Sequence, residues 1–306
     1  MSKVVVVKCW SGKMTALPDR KHYRLLLDSA LQTLTGVDTL QAAIQMLLPG
    51  KVIGMKANCL TRRLTNTPIP LTEALGDLLS DCGYAENNLL VWERSNRELK
   101  GAGFELNASS YGRRCFGTDT AAVGYSDEHF NFGVVNSRVS KVLTEMVDCN
   151  INLPALKDHS IAGLSGALKN LYGVIHNPNK YHANNCSPFA GQIPALEPIK
   201  RTNSLTILDA TRVQYDKGPG LSPNQLAYYG GLVLSTDPVA VDTIGLEILE
   251  YYREINGQPP LAKVGREVKY LKEAANNALG SDTLSEIDLE VLVVEADGKS
   301  YPGMLL

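Results

Sequence analysis

The sequence lacks an excess of charge of either sign. Its 306 residues include 30 lysines and arginines against 32 aspartates and glutamates, and aromatic residues make up only 7%. Nucleic-acid-binding proteins usually carry a basic excess or a basic stripe with interleaved aromatic side chains. No such cluster is present here, so the composition argues against a nucleic-acid partner.

Closely spaced cysteines are missing as well. The six cysteines are Cys9, Cys59, Cys82, Cys115, Cys149 and Cys186. Because no C-x-x-C pair occurs, neither a ferredoxin-type cluster nor a zinc ribbon is encoded locally, although distant cysteines can still converge in the folded chain. Scattered cysteines in a chain of this size are typical of a reduced protein, and we therefore expect a cytoplasmic location.

Long apolar runs and several well-known short motifs are absent too. No window approaches the length of a membrane span, and the first residues lack the apolar region and cleavage site of a secretory signal, so no membrane partner is expected. Neither G-x-G-x-x-G nor G-x-x-x-x-G-K-[ST] occurs, and G-x-S-x-G and H-E-x-x-H are missing. Nucleotide binding by the first two devices and hydrolysis by the last two are therefore not supported.

The hydrophobic pattern alternates between strand and helix periodicity. Short apolar runs predict strands over residues 4–7, 51–55, 89–92, 148–153, 205–210, 231–235 and 289–295. Helical spacing predicts helices over residues 22–34, 40–48, 72–80, 140–146, 238–254 and 264–276. This alternation predicts an α/β fold with a mostly parallel sheet and flanking helices. We expect a single unit over residues 1–306. This unit could consist of two lobes around a cleft, with the boundary between the lobes near the irregular residues 101–127.

The segment 157–182 is the most informative part of the chain, because it holds three of the five histidines. It follows a predicted strand, and open α/β sheets bind ligands at the carboxyl ends of their strands. Gly163 and Gly166 would let backbone N–H groups approach an anion or cofactor. The residues after Ser165 could begin a helix, whose N-terminus would add to that attraction.

His159 and Lys169 are the predicted catalytic pair in this segment. A histidine can act as acid, base or metal ligand near neutral pH, and a desolvated lysine can act as a nucleophile or covalent attachment point. The alternative is that His159 only ends a strand and that Lys169 is a solvated helix residue. For His176 and His182 two interpretations are equally open: each is either a metal ligand or base, or a surface residue.

Two further groups of polar residues follow predicted strands. Lys56, Asn58 and Arg62 follow the strand 51–55, and an arginine there could clamp a carboxylate or phosphate, or be a solvated turn residue. With Lys157 and Asn170 they form the predicted substrate-binding set. Asp209 and Asp242 could orient a histidine or hold a metal together with His176 and His182. Asp237 is better explained as the cap of the helix that begins at Pro238.

These residues lie in patterns that resemble the DUF362 family of uncharacterised, often iron–sulfur-associated proteins. The matching stretches are Lys56-Ala-Asn58, Leu156-Lys157-Asp158-His159, Gly166-Ala-Leu-Lys169-Asn170-Leu-Tyr-Gly173, Asp209-Ala-Thr211 and Ser235-Thr-Asp237-Pro-Val-Ala-Val-Asp242. The resemblance spans most of the chain but implies little about activity. Some relatives carry an added ferredoxin module with C-x-x-C spacing, which this sequence lacks.

A fainter resemblance is to the nickel-pincer lactate racemases. It is carried by His159-x-x-Ala162-Gly163-x-Ser165-Gly166-x-x-Lys169 and by Asn58-Cys-Leu-Thr61-Arg62 followed by Pro68. The resemblance implies that His159 is an acid/base, that Lys169 anchors the nickel-pincer nucleotide, that Arg62 binds the substrate carboxylate, and that His182 or His176 binds nickel. Asn58 replaces an acidic residue of that family, and no proline accompanies the lysine.

Taken together, the sequence predicts an enzyme that acts on a small anionic substrate, a carboxylate or a phosphate, at a His/Lys-centred site. The reaction would be racemase-like or oxidoreductase-like, with a divalent metal such as nickel or iron as an optional participant. The alternative is a metal-binding or iron–sulfur protein without catalysis of its own, which would serve a ferredoxin-type redox partner. That alternative needs cysteines or histidines that converge within coordination distance.

Overall fold

The computed structural model describes residues 1–9, 17–61 and 65–306. The strands in these ranges are β1 (Ser2–Cys9), β2 (Ile53–Lys56), β3 (Leu89–Glu93), β4 (Arg114–Gly117), β5 (Phe130–Phe132), β6 (Val135–Ser137), β7 (Cys149–Asn152), β8 (Ala155–His159), β9 (Gly163–Ser165), β10 (Asn203–Gln214), β11 (Leu226–Ala227), β12 (Gly231–Ser235), β13 (Ile287–Val294) and β14 (Ser300–Pro302). The α-helices are α1 (Arg20–Thr35), α2 (Leu40–Leu47), α3 (Ile69–Asp81), α4 (Asn96–Ala102), α5 (Ala167–Asn170), α6 (Phe189–Gln192), α7 (Glu197–Thr202), α8 (Pro238–Ile255) and α9 (Tyr270–Asn276).

One large sheet organises the described residues. Its strand order is β14-β13-β1-β12-β10-β7-β2-β3-β4, with β8, β9 and β11 attached beside β10. The strands from β10 through β7, β2 and β3 to β4 are all parallel, whereas β12 runs antiparallel to both β1 and β10. The predicted α/β class with a mostly parallel sheet is therefore confirmed.

Both faces of the sheet are covered, as the first strand illustrates. Val4 and Val6 pack into one core with α5 to α9, and Val5 and Val7 pack into the other with α1 to α4. All four side chains are fully buried. The sequence of a strand that is buried on both faces is a continuous apolar run rather than an alternating pattern, because successive side chains point to opposite faces of the sheet.

Two predicted helices differ from the structure. Residues 264–276 were expected to form one helix, but Gly265 adopts a left-handed φ of 73° and ends the short 3-10 turn Leu261–Val264, so α9 begins only at Tyr270. Residues 140–146 form a wider turn, Val142–Met146, in which the N–H of Val147 reaches the carbonyl of Val142. Gly265 can adopt the left-handed conformation that ends the turn Leu261–Val264 because it has no Cβ.

The irregular residues 101–127 contribute β4, which pairs with β3 and forms the edge of the large sheet. The apolar pattern did not predict α4, whose last two residues belong to this region. The proposed lobe boundary in this region stays a prediction. Within the described residues, no helix combines the length and apolar character needed to cross a membrane.

Candidate functional site

The candidate site is a cleft beside β8, at the carboxyl ends of β2 and β3. Its cavity volume is about 140 Å³, and the following residues line it: Asn58, Leu60, Glu93, Arg94, Glu98, Lys157, His159, Ser165, Lys169, Asn170, Tyr172, Gly173, Pro178, Asn179, His182 and Pro219. A larger open groove of about 550 Å³, bordered by Gly50 and Gly83, lies where β2 and β3 begin. The smaller cleft is the better candidate, because the predicted catalytic pair, His159 and Lys169, converges there.

His159, at the end of β8, is held by the turn that joins β8 to β9. Its Nδ1 accepts hydrogen bonds from the backbone N–H groups of Ile161 and Ala162, at 3.1 Å each. Burial, followed by the positive charge of Lys169, lowers the pKa of His159 to about 3. The imidazole is therefore neutral and carries its proton on Nε2, so it can donate a hydrogen bond into the cleft but is a poor general base.

We expect His159 to stay neutral, with the proton on Nε2, from about pH 5 to pH 8, the range in which an ordinary histidine titrates. Proton–nitrogen NMR of the imidazole rings would measure this, with the His159→Gln variant assigning the signal. Nitrogen shifts that remain constant across the range are the expected result. A titration midpoint inside that range for His159 would contradict the assignment of Nδ1 as an acceptor.

Lys169, in α5, has three neighbours in the cleft and none of them is a carboxylate. Its Nζ lies 3.2 Å from Nε2 of His182, 3.6 Å from Sγ of Cys186 and 3.3 Å from the centre of the Tyr172 ring. Nδ1 of His182 lies 3.0 Å from the carbonyl of Pro178, to which it donates its proton, so Nε2 presents a lone pair to the lysine. Burial lowers the pKa of Lys169 to about 8.

Lys157, in β8, is almost completely buried and contacts only neutral acceptors among the described residues. Its Nζ donates to Oδ1 of Asn58 and to the carbonyl of Thr65, at 2.6 Å each, and lies 3.4 Å from Oγ1 of Thr61. Burial lowers the pKa of Lys157 to about 7. Lys157 thereby links Thr61 and Thr65 to β8.

A chain of amide side chains fixes the floor of the cleft. Nδ2 of Asn58 donates to Oδ1 of Asn170 at 3.0 Å, and Nδ2 of Asn170 donates to Oδ1 of Asn152 at 2.8 Å. Nδ2 of Asn152 in turn donates to the carbonyl of Ala167. Lys157 donates to the first amide, and each amide donates to the next acceptor. The polar side chains are therefore oriented before a ligand binds.

A second charged group borders the cleft, and of its members the sequence analysis predicted only Lys56. Lys56 is fully buried and pairs with Glu93, the last residue of β3. Burial raises the pKa of Glu93, and Glu98 lies close enough to form a hydrogen bond with it. Arg94 then pairs with Glu98 at 2.8 Å. Lys56 therefore lies beneath the cleft rather than in its lining, and its positive charge is already paired with Glu93.

The four residues predicted to bind a metal have other environments. His176 is exposed and its ring lies against Tyr125, whereas His182 faces Lys169. Oδ1 of Asp209 accepts hydrogen bonds from the hydroxyl and N–H groups of Thr211. In the ranges 1–9, 17–61 and 65–306, no group of three or more His, Cys, Asp or Glu residues is arranged to hold a metal ion.

The carboxylate of Asp242 caps α5, which carries Lys169. Oδ1 accepts the N–H of Ala167 at 2.5 Å, and Oδ2 accepts that of Leu168 at 2.9 Å. Burial raises the pKa of Asp242 to about 7, against the lowering effect of the two donors. A Cβ on Gly166 would lie only 2.0 Å from Oδ1, so the anion that this glycine accommodates is the carboxylate of Asp242 and not a ligand.

The structure thus brings most of the predicted residues together. Asn58, Lys157, His159, Lys169, Asn170 and His182 all line the cleft. Arg62 lies outside the described residues. Glu93, Arg94, Glu98 and Pro219 were missed. Glu93 had a usable signal, because it is a polar residue at the carboxyl end of a predicted strand, the same signal that singled out Asn58.

The residues of the cleft do not fit the nickel-pincer nucleotide that the fainter resemblance implies. A volume of about 140 Å³ is small beside the roughly 300–1,000 Å³ of ordinary ligand pockets. Nε2 of His182, one of the two implied nickel ligands, lies 3.2 Å from Nζ of Lys169, the implied anchor. We therefore derive no chemical step through that group.

Comparison with known proteins gives a family but no activity. The family model described as "Domain of unknown function (DUF362)" matches residues 53–247. No curated protein matches the chain. A crystal structure of a protein from Thermotoga maritima is similar at 14% identity and a TM-score of 0.38; the match covers 75% of this chain and 59% of that protein's length. Because the family model covers more than half of the 306 residues, the chain belongs to the DUF362 family.

Proposed function

We propose that this protein is an enzyme that binds a small anionic substrate, a carboxylate or a phosphate, in the cleft and transfers protons through Lys169. One observation carries the proposal: Lys157 and Lys169 are both buried at the same cleft, and no described carboxylate forms an ion pair with either of them. A buried ammonium group without a counter-ion is costly, and a bound anion would offset that cost.

The arrangement supports a division of roles. Lys169 and His182 share a hydrogen bond through which a proton can pass, so Lys169 can act as a base once it has lost its own proton. His159, which is neutral, can donate from Nε2 to a substrate oxygen that gains negative charge, as neutral histidines do in some isomerases. Lys157, with Asn58, is suited to hold the anionic group of the substrate.

These groups support a reaction in which a proton is removed from a carbon next to a carbonyl or carboxylate group, as in a racemase or epimerase. An oxidoreductase reaction would in addition require a redox group. The proposal also includes metal assistance, iron–sulfur association, a ferredoxin-type partner and a cytoplasmic location. None of these rests on a contact among the described residues.

The proposal can be tested without knowledge of the natural substrate. Small carboxylates and phosphates would be screened by thermal shift, since a ligand at 100 times its Kd stabilises a protein by about 2.7 kcal/mol. Ligands that bind would then be incubated with the protein in deuterated water, and proton NMR would follow exchange of the C–H group. We expect binding and exchange in the wild type and loss of exchange in Lys169→Met. If no anion binds, the proposal is wrong.

Lys169→Met is also expected to stabilise the protein, by about 1–3 kcal/mol at pH 7, because it removes a buried positive charge. The folded-state pKa of about 8 lies below the unfolded value of 10.5, so the unfolded chain binds more protons between these values. Wild-type stability therefore rises with pH from about 8 to 10.5, and the advantage of the variant shrinks over that window. Urea unfolding at several pH values would measure it.

The matched control is Lys180→Met, which removes an exposed lysine from the same segment. Its stability should change by less than about 0.5 kcal/mol, with no trend in pH. A Lys169→Met variant that is less stable than the wild type at pH 7 would contradict the view that this charge is uncompensated.

A further inference from the structure

We propose that Lys169 forms an imine with the carbonyl carbon of a small 2-oxo acid. This inference rests on the proposed function and names the substrate class of the same cleft, and it changes the role of Lys169 from base to nucleophile, with His182 as the proton acceptor. Three features of the cleft carry it: a lysine amine with an adjacent proton acceptor, a donor for the carbonyl oxygen, and a separate cation for the carboxylate.

The amine of Lys169 is positioned as a nucleophile. Imine formation requires the free amine, and Nε2 of His182 lies 3.2 Å from Nζ with its lone pair toward it, because Nδ1 is bound to the carbonyl of Pro178. No described carboxylate lies within ion-pair distance of Nζ to hold the amine in its charged form. The face of the Tyr172 ring, 3.3 Å away, limits the positions that the amine can take. A neutral lysine beside a proton acceptor is the activated form of this nucleophile.

The carbonyl oxygen also has a donor. His159 lines the same cleft, and two backbone N–H groups occupy its Nδ1, which leaves the Nε2 proton available. The ring centres of His159 and His182 are 6.2 Å apart, so the donor and the proton acceptor both border the space beside Lys169. A donor at this place stabilises the negative charge that develops on the carbonyl oxygen during attack.

The carboxylate of a 2-oxo acid accounts for the second lysine. Lys157 lines the cleft but already makes three contacts with oxygen atoms, so it is held in place and is not free to attack. Because these contacts use its three N–H groups, Lys157 would attract a carboxylate through its positive charge alone. A phosphate would satisfy Lys157 equally well but offers no carbonyl carbon to Lys169. The cavity of about 140 Å³ fits an acid of a few carbons.

The step balances as a condensation. Lys169 gives one proton to His182, and its nitrogen attacks the carbonyl carbon, forming a C–N bond. The carbonyl π pair moves to the oxygen, which takes up the proton held by His182. The nitrogen of the resulting carbinolamine then gives up one proton, with which the hydroxyl group leaves as water, and a protonated imine remains. In sum, one ammonium group and one carbonyl group give one iminium ion and one water, with no oxidant or reductant.

The test is reductive trapping. The wild-type protein would be incubated with pyruvate or glyoxylate and cyanoborohydride, followed by intact mass analysis and peptide mapping. We expect one adduct per chain on the peptide that contains Lys169. Lactate and acetate, which lack the carbonyl group, should give none. Lys169→Met should lose the adduct, Lys180→Met should retain it, and Lys157→Met should need at least a tenfold higher concentration of the 2-oxo acid for half-maximal trapping.

The outcomes separate this inference from the proposed function. If carboxylates stabilise the wild type and exchange occurs, but no adduct forms on Lys169, the imine is wrong and the proposed function stands. Adducts on Lys157, or spread over surface lysines, also overturn it. If no anion binds and no exchange occurs, the proposed function fails as well. Because Lys169→Met is expected to fold more stably than the wild type, loss of the adduct in that variant cannot be attributed to unfolding.

Discussion

Replacement of Lys56 with methionine is expected to lower the free energy of unfolding by about 3–5 kcal/mol, because it leaves the buried Glu93 without its counter-ion. Burial already raises the pKa of Glu93 while Lys56 is present. Without the lysine this pKa rises further, and a raised carboxyl pKa means that stability falls as pH rises through it. The loss should therefore be larger at pH 8 than at pH 5. Urea unfolding at both pH values would measure it.

The sequence offers a matched control for this pair. Lys3 and Glu290 form an ion pair at 3.4 Å whose side chains are 33% and 47% exposed, and Lys3→Met should change stability by less than about 1 kcal/mol. The double variant Lys56→Met/Glu93→Leu should recover much of the lost stability, since it removes both charges. If Lys56→Met behaves like Lys3→Met, the buried pair contributes nothing and this account of Glu93 is wrong.

Replacement of Asp242 with alanine is expected to cost about 3 kcal/mol, because the N–H groups of Ala167 and Leu168 lose their only described acceptor. The same change should impair the cleft, since these two residues begin α5 and the helix carries Lys169 and Asn170. We therefore expect anion-induced stabilisation to weaken along with the fold. Differential scanning calorimetry with and without a bound carboxylate would measure both effects.

Glu247→Ala is the matched control on the same helix, because Glu247 is partly exposed and has no described hydrogen-bond partner. Its effect should stay within about 0.5 kcal/mol. Asp242→Asn keeps one acceptor oxygen but turns an NH₂ group toward a donor, so it should recover only part of the loss. A fully stable Asp242→Ala variant would mean that water replaces the carboxylate.

The sequence predicts which residues lie at the ends of strands much better than it predicts which side chains contact each other. The rule that ligands gather at the carboxyl ends of strands singled out Asn58, Lys157 and His159, and all three line the cleft. The same rule, applied to the strand that ends at Glu93, would have found that carboxylate too. Position relative to a strand depends on local periodicity, which a single sequence contains.

Pairings across the fold could not be predicted. A carboxylate in an apolar helix, such as that of Asp242, needs a partner because its burial is costly, but its acceptor role toward Ala167 and Leu168 joins residues about 75 positions apart. Asp158 pairs with Arg266 over 108 positions. The neutral state of His159 depends on the N–H groups of Ile161 and Ala162, which the shape of one turn decides. These contacts determine the chemistry, and hydrophobic patterning carries no information on them.

The interior position of β1 in the sheet has a consequence for synthesis of the chain on the ribosome. This strand is synthesised before its partners β12 and β13, which begin only at residues 231 and 287. At roughly 5–20 residues per second, the first partner emerges about 10–50 s later. During that interval the apolar run of Val4 to Val7 has neither neighbouring strand. A nascent chain with this topology therefore exposes the apolar segment of β1 until β12 has been synthesised, which is the condition under which chaperones that bind short apolar stretches act.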